Sequence, residues 1–425
     1  MTNLRIAIIG AGISGSYLFK SLSSGIGGSV CVDLYDQGRG IGGRSSTRFD
    51  NGFEFDHGCQ FFRSDSPQMK VICNEWLALG IVKEWEGIHD GNGDFFGLPH
   101  QQPVYVSANG GMNNIAYSLV QEAITIDNFN LFQGVRVESI KRNDENNKWM
   151  LLGKQGRSAY HDTPEDEAKA QSLKNLHDHD GYSIVVLTDI SSSFGNWHRA
   201  SAGVPTAFAE LVSKRAGARV PLFSAMVSFK DPLLLSQSSL TFDRSSSKVW
   251  FAARTNSKPG FLNNQETWTI ISTPEYAISK IIETPMQDPI SGAFIPQSPN
   301  YLLSVPAPEL VKEFLQLIGL PDREKTYLNS QRWGSALPSH RHLANDINSP
   351  TRQTISGVTY DSGIAPLAPT VMCGFQSQSF VSDDEIGLYQ IGDMVSSYTP
   401  GFEGAVLSAA EAAKHLTAII KNKAL

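Results

Sequence analysis

Leu4-Arg-Ile-Ala-Ile-Ile9-Gly10-Ala-Gly12-Ile-Ser14-Gly15 is the stretch whose reading decides the fold. Its first six residues form a short, β-rich apolar run, the pattern of a strand buried on both faces. The glycines follow at once, and then a helical stretch with Tyr17, Leu18 and Leu22 spaced to pack on a sheet. A second strand, Val30-Cys-Val-Asp-Leu-Tyr35, ends at Asp36, 21 residues after Gly15. Gly10 permits a tight turn, Gly12 lets the backbone approach a pyrophosphate, and Gly15 allows close helix–strand packing. The helix start, with Ser14 in its first turn, offers unpaired N–H groups and a positive dipole end to a diphosphate. Asp36, with Gln37 beside it, stands at the spacing expected of a carboxylate that binds ribose hydroxyls.

Gly38-Arg-Gly-Ile-Gly42-Gly43-Arg44-Ser45 comes directly after the acid. Such a turn lets the chain pass close beneath a bound cofactor, and Arg44 supplies a planar donor fork for phosphate. Taken alone, these glycines also describe a flexible surface loop. Taken with the upstream fingerprint, they favour FAD over NAD.

At 425 residues the chain has length for two domains and a sizeable core. Hydrophobic residues at 41% and charged residues at 18% describe a soluble globular protein. A net charge of −7 leaves no basic stripe to displace counterions, so no nucleic-acid partner is expected. Cys31, Cys59, Cys73 and Cys373 lack CxxC spacing, which gives neither an ordinary zinc site nor a disulfide framework. No leading apolar segment and no run of about 18 apolar residues is present. A cytoplasmic protein without a membrane span is the expectation.

GAGISG and GRGIGGRSSTR together resemble the two-part dinucleotide motif of the flavin amine oxidase superfamily. Phe55-Asp56-His57-Gly58-Cys59-Gln60-Phe61-Phe62 is similar to the FDHGAQYF stretch of renalase-like proteins, with Cys59 where alanine is usual. Trp250-Phe-Ala-Ala-Arg254-Thr-Asn-Ser-Lys258-Pro-Gly260, with Trp268 to Thr273 beyond, looks like the WAARNSSKPGR … WVLHAS hairpin of bacterial renalase-like proteins. Gln331-Arg332-Trp333-Gly-Ser-Ala-Leu-Pro338 resembles the HRWRYALP motif, whose tryptophan lies close to the flavin. Gly110-Gly111-Met112 resembles the opening at which the chain returns to the FAD domain. In relatives a valine placed like Val137 holds the adenine edge by its backbone, though a buried strand valine reads the same way. Leu388 to Ile391, Gly392-Asp393 and then Phe402-Glu403-Gly404-Ala405 complete a second cofactor-facing signature. Asp393 is placed for the ribityl chain or pyrophosphate, and the amides of residues 403–405 open a helix toward the reduced ring.

The resemblance implies an α/β fold: a Rossmann-type FAD-binding domain interleaved with an α+β substrate domain built on an antiparallel sheet. Residues 1–62, 105–193 and 354–425 are expected in the FAD domain, and 63–104 and 194–353 in the substrate domain. A polar, histidine-bearing insertion at 153–181 falls outside the resemblance and reads as a solvated loop without metal. Helices are expected from Ser66-Pro67 to Gly80 and after Met112, and Phe223–Phe229 alternates like a half-buried strand.

FAD, held without a covalent bond, would carry the reaction while the protein supplies position and electrostatics. Gln60, His57 and Trp333 are the expected catalytic contacts, Gln60 and Phe61 also touching the cofactor. Trp250, Arg254 and Tyr398 are the expected substrate contacts, and Arg332 is a further anion-binding candidate. Cys59 raises covalent attachment or redox exchange, against a small buried hydrophobe. No lysine falls on the strand where some amine oxidases place one at flavin N5, since Lys230 follows Phe229. By resemblance the substrates would be dihydropyridine isomers of NAD(P), oxidised to NAD(P)+ while O2 becomes H2O2. An amine oxidase or desaturase on the same scaffold is the rival, and a non-redox binding protein of the Rab GDP-dissociation-inhibitor kind a third reading.

Overall fold

Five parallel strands and one antiparallel edge strand form the sheet around which the first motif is built. Its order is Val381–Asp383, Leu388–Gln390, Ile184–Leu187, Arg5–Ile9, Cys31–Asp36 and Phe129–Gln133. The computed structural model describes residues 4–26, 30–155, 174–189, 203–261, 265–290, 295–339, 351–363 and 378–424. Arg5–Ile9 pairs in parallel with both Cys31–Asp36 and Ile184–Leu187, so the fingerprint turn leaves the middle of the sheet. Ile6 and Ile8 point to one face, where the helices Ile13–Ile26, Asn113–Ala123 and Phe402–Ala424 bury Leu18, Leu22, Ala116, Ala409 and Leu416. Ala7, Tyr35, Val185 and Leu187 point to the other, covered by the helix Thr206–Ala216 and an antiparallel sheet of Val135–Asn143, Lys148–Gln155 and Lys174–Asn175. Both faces are apolar because both are covered.

The second sheet has eight strands. Arg219–Phe229 lies at its middle, pairing with Glu266–Ser272 on one side and Lys325–Pro338 on the other. Beyond Glu266–Ser272 come Val249–Arg254, Gln237–Thr241 and Ile88–Gly91. The helices Pro274–Glu283 and Pro306–Leu317 cover one face, and the hairpin Thr47–Asp50/Phe53–Asp56 packs Phe53 and Phe55 on the other. Hence Arg219–Phe229 is buried at every residue, where alternation alone predicted a half-buried strand.

Two further expectations change. Arg352–Ile355 and Val358–Asp361 join the second sheet, Tyr360 beside Arg219, so a boundary at 353/354 falls inside that sheet. The boundary at 193/194 lies outside the described residues. The 153–181 segment keeps strand pairing at both ends, and His177 is only 8% exposed. Its Nε2 accepts from Leu151 N at 3.3 Å, and its ring stacks on His179 at 4.1 Å. His177 and His179 are therefore packed groups of the small sheet; His161 lies outside the described residues, which hold no metal-binding cluster. The helix Pro67–Ala78 starts as expected, Ser66 Oγ accepting from Met69 N.

Candidate functional site

The turn after Arg5–Ile9 is held by contacts that only glycine permits. Gly10 has φ +105°, and a Cβ there would lie 2.1 Å from Thr188 Oγ1. At Gly15 a Cβ would meet Gly10 O at 1.9 Å, so the helix sits against the turn itself. Gly12 is different: its Cβ would meet nothing nearer than 3.9 Å, at Gly42 O and Gly43 Cα. Space stands over Gly12, and the amides before Ser16, which bonds Gly12 O, begin the helix without intrahelical partners.

Asp36 is 9% exposed and accepts from Ala11 N and Gly38 N, each at 2.7 Å. Burial raises its carboxyl above the usual range, against the pull of those amides. Gly42 N donates to Ala11 O at 2.9 Å, which brings the second glycine turn, with Gly43 at φ +55°, against the first. Gly392 completes the floor: a Cβ there would lie 3.6 Å from Thr188 O and 3.7 Å from Ser14 Oγ. Gly404 packs against Asp393 Cβ and Thr399 O, so the helix Phe402–Ala424 begins at the same place, Ala405 N bonding Gly401 O. Gln37 is exposed beside the turn, and Val137 lies half-buried on the small sheet.

Arg44 and Asp393 meet each other. The guanidinium donates to both carboxylate oxygens of Asp393 and, at 2.9 Å, to Ala336 O. The two side chains expected at the cofactor thus form one bidentate pair. The Glu403 side chain, as distinct from the amides at this helix start, points to the helix Pro67–Ala78. Only 4% exposed, it accepts from Asp65 N at 2.8 Å and Ser66 N at 3.2 Å, at the start of the helix Pro67–Ala78. Phe402 stacks on Phe62 at 4.4 Å.

Above Arg44 lies the loop of residues 57–60. Cys59 N donates to Arg44 O at 2.8 Å, and a Cβ on Gly58 would touch Arg44 O and Trp333. Trp333 Nε1 donates to His57 O at 2.7 Å, and the two rings lie 5.2 Å apart. Burial, then the charge of Arg48, lowers the His57 imidazole to about 4, and its buried Nδ1 has no partner. Burial pushes the Cys59 thiol up to about 12, and it donates to Phe61 O at 3.1 Å. Such a thiol is a packed group, without thiolate character.

Several expected contacts are committed elsewhere. Gln60 Nε2 donates to Asp56 O and Gly58 O while its Oε1 accepts from Lys258, which leaves its amide no free face for a substrate. Phe61 packs with Trp85, Phe95 and Phe251. Trp250 is 4% exposed, and its indole donates to Asp94 O. Arg254 spends its fork on Glu266 and Leu235 O, and Arg332 on Thr284 O and Ile295 O. Tyr398 donates to Glu411. Each of these groups is thus positioned by a partner within the chain.

One residue stood in the quoted hairpin motif without a role. Lys258 and Asp56 form an ion pair at 2.9 Å, each side chain 1% exposed. Lys258 also reaches Gln60 Oε1 at 3.2 Å and lies over the Trp85 ring. Asp56 further accepts from Thr47 Oγ1 and Met112 N, both at 2.8 Å. The sequence signal was weak: Lys258 sits in the polar run Arg254–Lys258, and its partner Asp56 lies 202 residues earlier in the chain.

Comparison with known proteins fits this geometry. Residues 8–76 match the NAD(P)-binding Rossmann-like domain family. A provisionally named protoporphyrinogen oxidase from Exiguobacterium sp. 255-15 superposes with TM-score 0.57 at 10% identity, over 98% of this chain and 99% of that one. Cyclohexylamine oxidase from Brevibacterium oxydans IH-35A gives 0.55 at 12%, over 99% and 100%. Reduced UDP-galactopyranose mutase gives 0.54 at 10%, over 99% and 95%. At such identities the likeness is one of fold, and this fold serves more than one chemistry. Residues 8–76 thus resemble an NAD(P)-binding Rossmann-like domain, and the chain as a whole shares the fold of these oxidases and of the mutase.

Proposed function

We propose that this protein is an FAD-dependent oxidase of a small molecule, and that its substrates are dihydropyridine isomers of NAD(P). The observation that carries flavin binding is the meeting, around Thr188 and Ser14, of Gly10–Gly15, Gly42–Arg44, Gly392–Asp393 and the start of the helix Phe402–Ala424. FAD, when bound without a covalent link, supplies the hydride-accepting ring. Gly12 and the first amides of the helix Ile13–Ile26 would bind its diphosphate. Asp36 keeps acceptor lone pairs for a ribose beyond the two amides it already holds.

Trp333 would form a flat wall over the ring's edge. His57 beside it stays neutral at pH 7 and its buried Nδ1 has no protein partner, so it is a weak base that would not take a proton from carbon. The strand Arg219–Phe229 carries no lysine; Ser224 lies there and donates to His57 O at 2.6 Å. This suits a substrate that gives up hydride without prior deprotonation, as a dihydropyridine does. The amine-oxidase reading is favoured by one observation, the buried ammonium of Lys258 behind the same loop.

The test is anaerobic reduction of the purified yellow protein by 2- or 6-dihydronicotinamide dinucleotides, compared with primary amines, followed at about 450 nm. Dihydropyridines are expected to bleach the flavin and, with O2, to yield H2O2. Bleaching by amines alone would replace this reading with the amine oxidase. A colourless protein that FAD does not reconstitute would favour the binding-protein reading.

A further inference from the structure

Lys258 arrives from the second sheet and ends behind the loop of residues 57–60. It follows the strand Val249–Arg254 after one short 3-10 turn, Thr255–Ser257, and Lys258 N bonds Thr255 O at 3.1 Å. Ser257 Oγ donates to Arg254 O at 2.7 Å and accepts from Trp85 Nε1 at 3.1 Å, and Gly110 N bonds Pro259 O at 3.2 Å. The backbone on both sides of the lysine is therefore fixed. An ammonium has three N–H donors. Those of Lys258 meet Asp56 Oδ2 at 2.9 Å, Gln60 Oε1 at 3.2 Å and the face of Trp85, 5.2 Å from the ring centroid.

Gln60, 3% exposed, carries this contact into the loop. With Oε1 held by Lys258, its amide presents Nε2 on the other side, where it donates to Asp56 O and, at 3.0 Å, to Gly58 O. Asp56 is fixed in turn by Thr47 Oγ1 and by Met112 N, at the start of the helix Asn113–Ala123. Gly58 lies in a tight seat: a Cβ there would fall 2.0 Å from Arg44 O and 3.3 Å from Trp333. His57 O accepts from Trp333 Nε1 at 2.7 Å and from Ser224 Oγ at 2.6 Å, both on strands of the second sheet. Cys59 N reaches Arg44 O at 2.8 Å.

The loop thus spans the join between the second sheet and the glycine turn that ends at Arg44, and Lys258 holds it from behind. Burying two charges costs about as much as their attraction returns, so stability is a weak reason for this pair and fixed geometry a better one. We propose that Lys258 is a positioning residue: through Gln60 it sets where residues 57–60 lie against Arg44, and with them the placing of His57 and Trp333 for the substrate. The control of the loop stands on the contacts above; its use in the reaction rests on the flavin reading.

Gln60→Leu keeps the volume and removes the three amide bonds while leaving the Lys258–Asp56 pair. Lys258→Met with Asp56→Asn removes the ammonium and its counterion together. In protein labelled with fluorotryptophan, Trp333→Phe identifies the Trp333 fluorine resonance. Both variants are expected to move that resonance by more than its linewidth, while Trp149, whose indole is bonded to Ile386 O, keeps its own. Combined, the changes should move Trp333 no further than either does alone, because both break one path. A Trp333 resonance that stays in place in Gln60→Leu, or shifts that add in the combined variant, overturns the proposal. In the yellow protein each variant is expected to slow flavin reduction by a dihydropyridine about tenfold, with FAD affinity changed by less than about twofold. An unchanged rate beside a displaced Trp333 overturns the role in the reaction. A protein that never takes up FAD sinks the function proposed above, while the fluorine spectrum still decides whether Lys258 sets the loop.

Discussion

Lys258 and Asp56 are the charges whose loss would be felt most, because both side chains are 1% exposed and each is the other's counterion. Lys258→Met would leave Asp56 as an uncompensated buried carboxylate, and a loss of about 3–5 kcal/mol in urea unfolding is expected. Adding Asp56→Asn removes that charge and keeps an acceptor for Thr47 and Met112, so the double variant should recover much of the loss. His57 gives a pH signature. Its folded imidazole is lowered to about 4, mainly by burial, whereas the unfolded chain takes up its proton near 6.5. Stability should therefore be level above about pH 6.5 and fall by on the order of 2–3 kcal/mol toward pH 4. His57→Phe should flatten that part of the curve, and an unchanged slope would show that His57 does not set it; His179, also lowered to about 4, contributes with the same sign. Single residues were the least legible level of the sequence. Trp250, Arg254 and Gln60 have the right chemistry for a site, yet their partners lie 156, 12 and 198 residues away along the chain. No local pattern announces such a partner.

Elements whose logic is local were legible for the same reason. The strand, turn and helix from Arg5 to Ile26 announce themselves in one short window, and Gly15 packs on Gly10 O five residues back, although Gly10 itself is set by Thr188 across the sheet. Those causes predict opposite outcomes for two similar substitutions. Gly15→Ala puts a methyl 1.9 Å from Gly10 O, a backbone atom that cannot move without opening the turn. It should destabilise the protein by several kcal/mol even without cofactor. Gly12→Ala has ordinary room, 3.9 Å to its nearest neighbours, so the protein should keep its thermal midpoint within about 1 °C. Its methyl would occupy the space over the turn, and FAD affinity should fall at least about a hundredfold by fluorescence titration, a steric cost on binding. Normal FAD binding by Gly12→Ala would place the diphosphate elsewhere. The strand Arg219–Phe229 shows what locality misses. Its alternation is genuine, but burial on the second face comes from a hairpin some 170 residues earlier in the chain, which no window on the strand contains.

At the scale of the molecule, the C-terminal helix is tied to the start of the helix Pro67–Ala78 by residues that the sequence assigned to a cofactor. Glu403 belongs to the helix Phe402–Ala424 on the parallel sheet, and its carboxylate accepts the amides of Asp65 and Ser66, where the chain enters the helix Pro67–Ala78. Two orphan donors of one helix start are thus satisfied by a residue 337 and 338 positions away. Phe402 stacks on Phe62 beside this bond, so the joint has an apolar half and a polar half. Glu403→Ala should strip the polar half and leave two amides without their acceptor, at a cost of about 1–3 kcal/mol. Glu403→Gln, which keeps a carbonyl acceptor, should lose less. Because the bond fixes where residues 63–79 sit, deuterium exchange in that segment should rise in Glu403→Ala while exchange in Arg5–Ile9 stays slow. Were Glu403 instead a direct cofactor contact, exchange in 63–79 would stay unchanged and FAD affinity alone would fall. Burial raises its carboxyl above the usual range while the two amides oppose that shift, so the folded protein holds this proton more tightly than the unfolded chain, and through this group acid should firm the joint rather than loosen it.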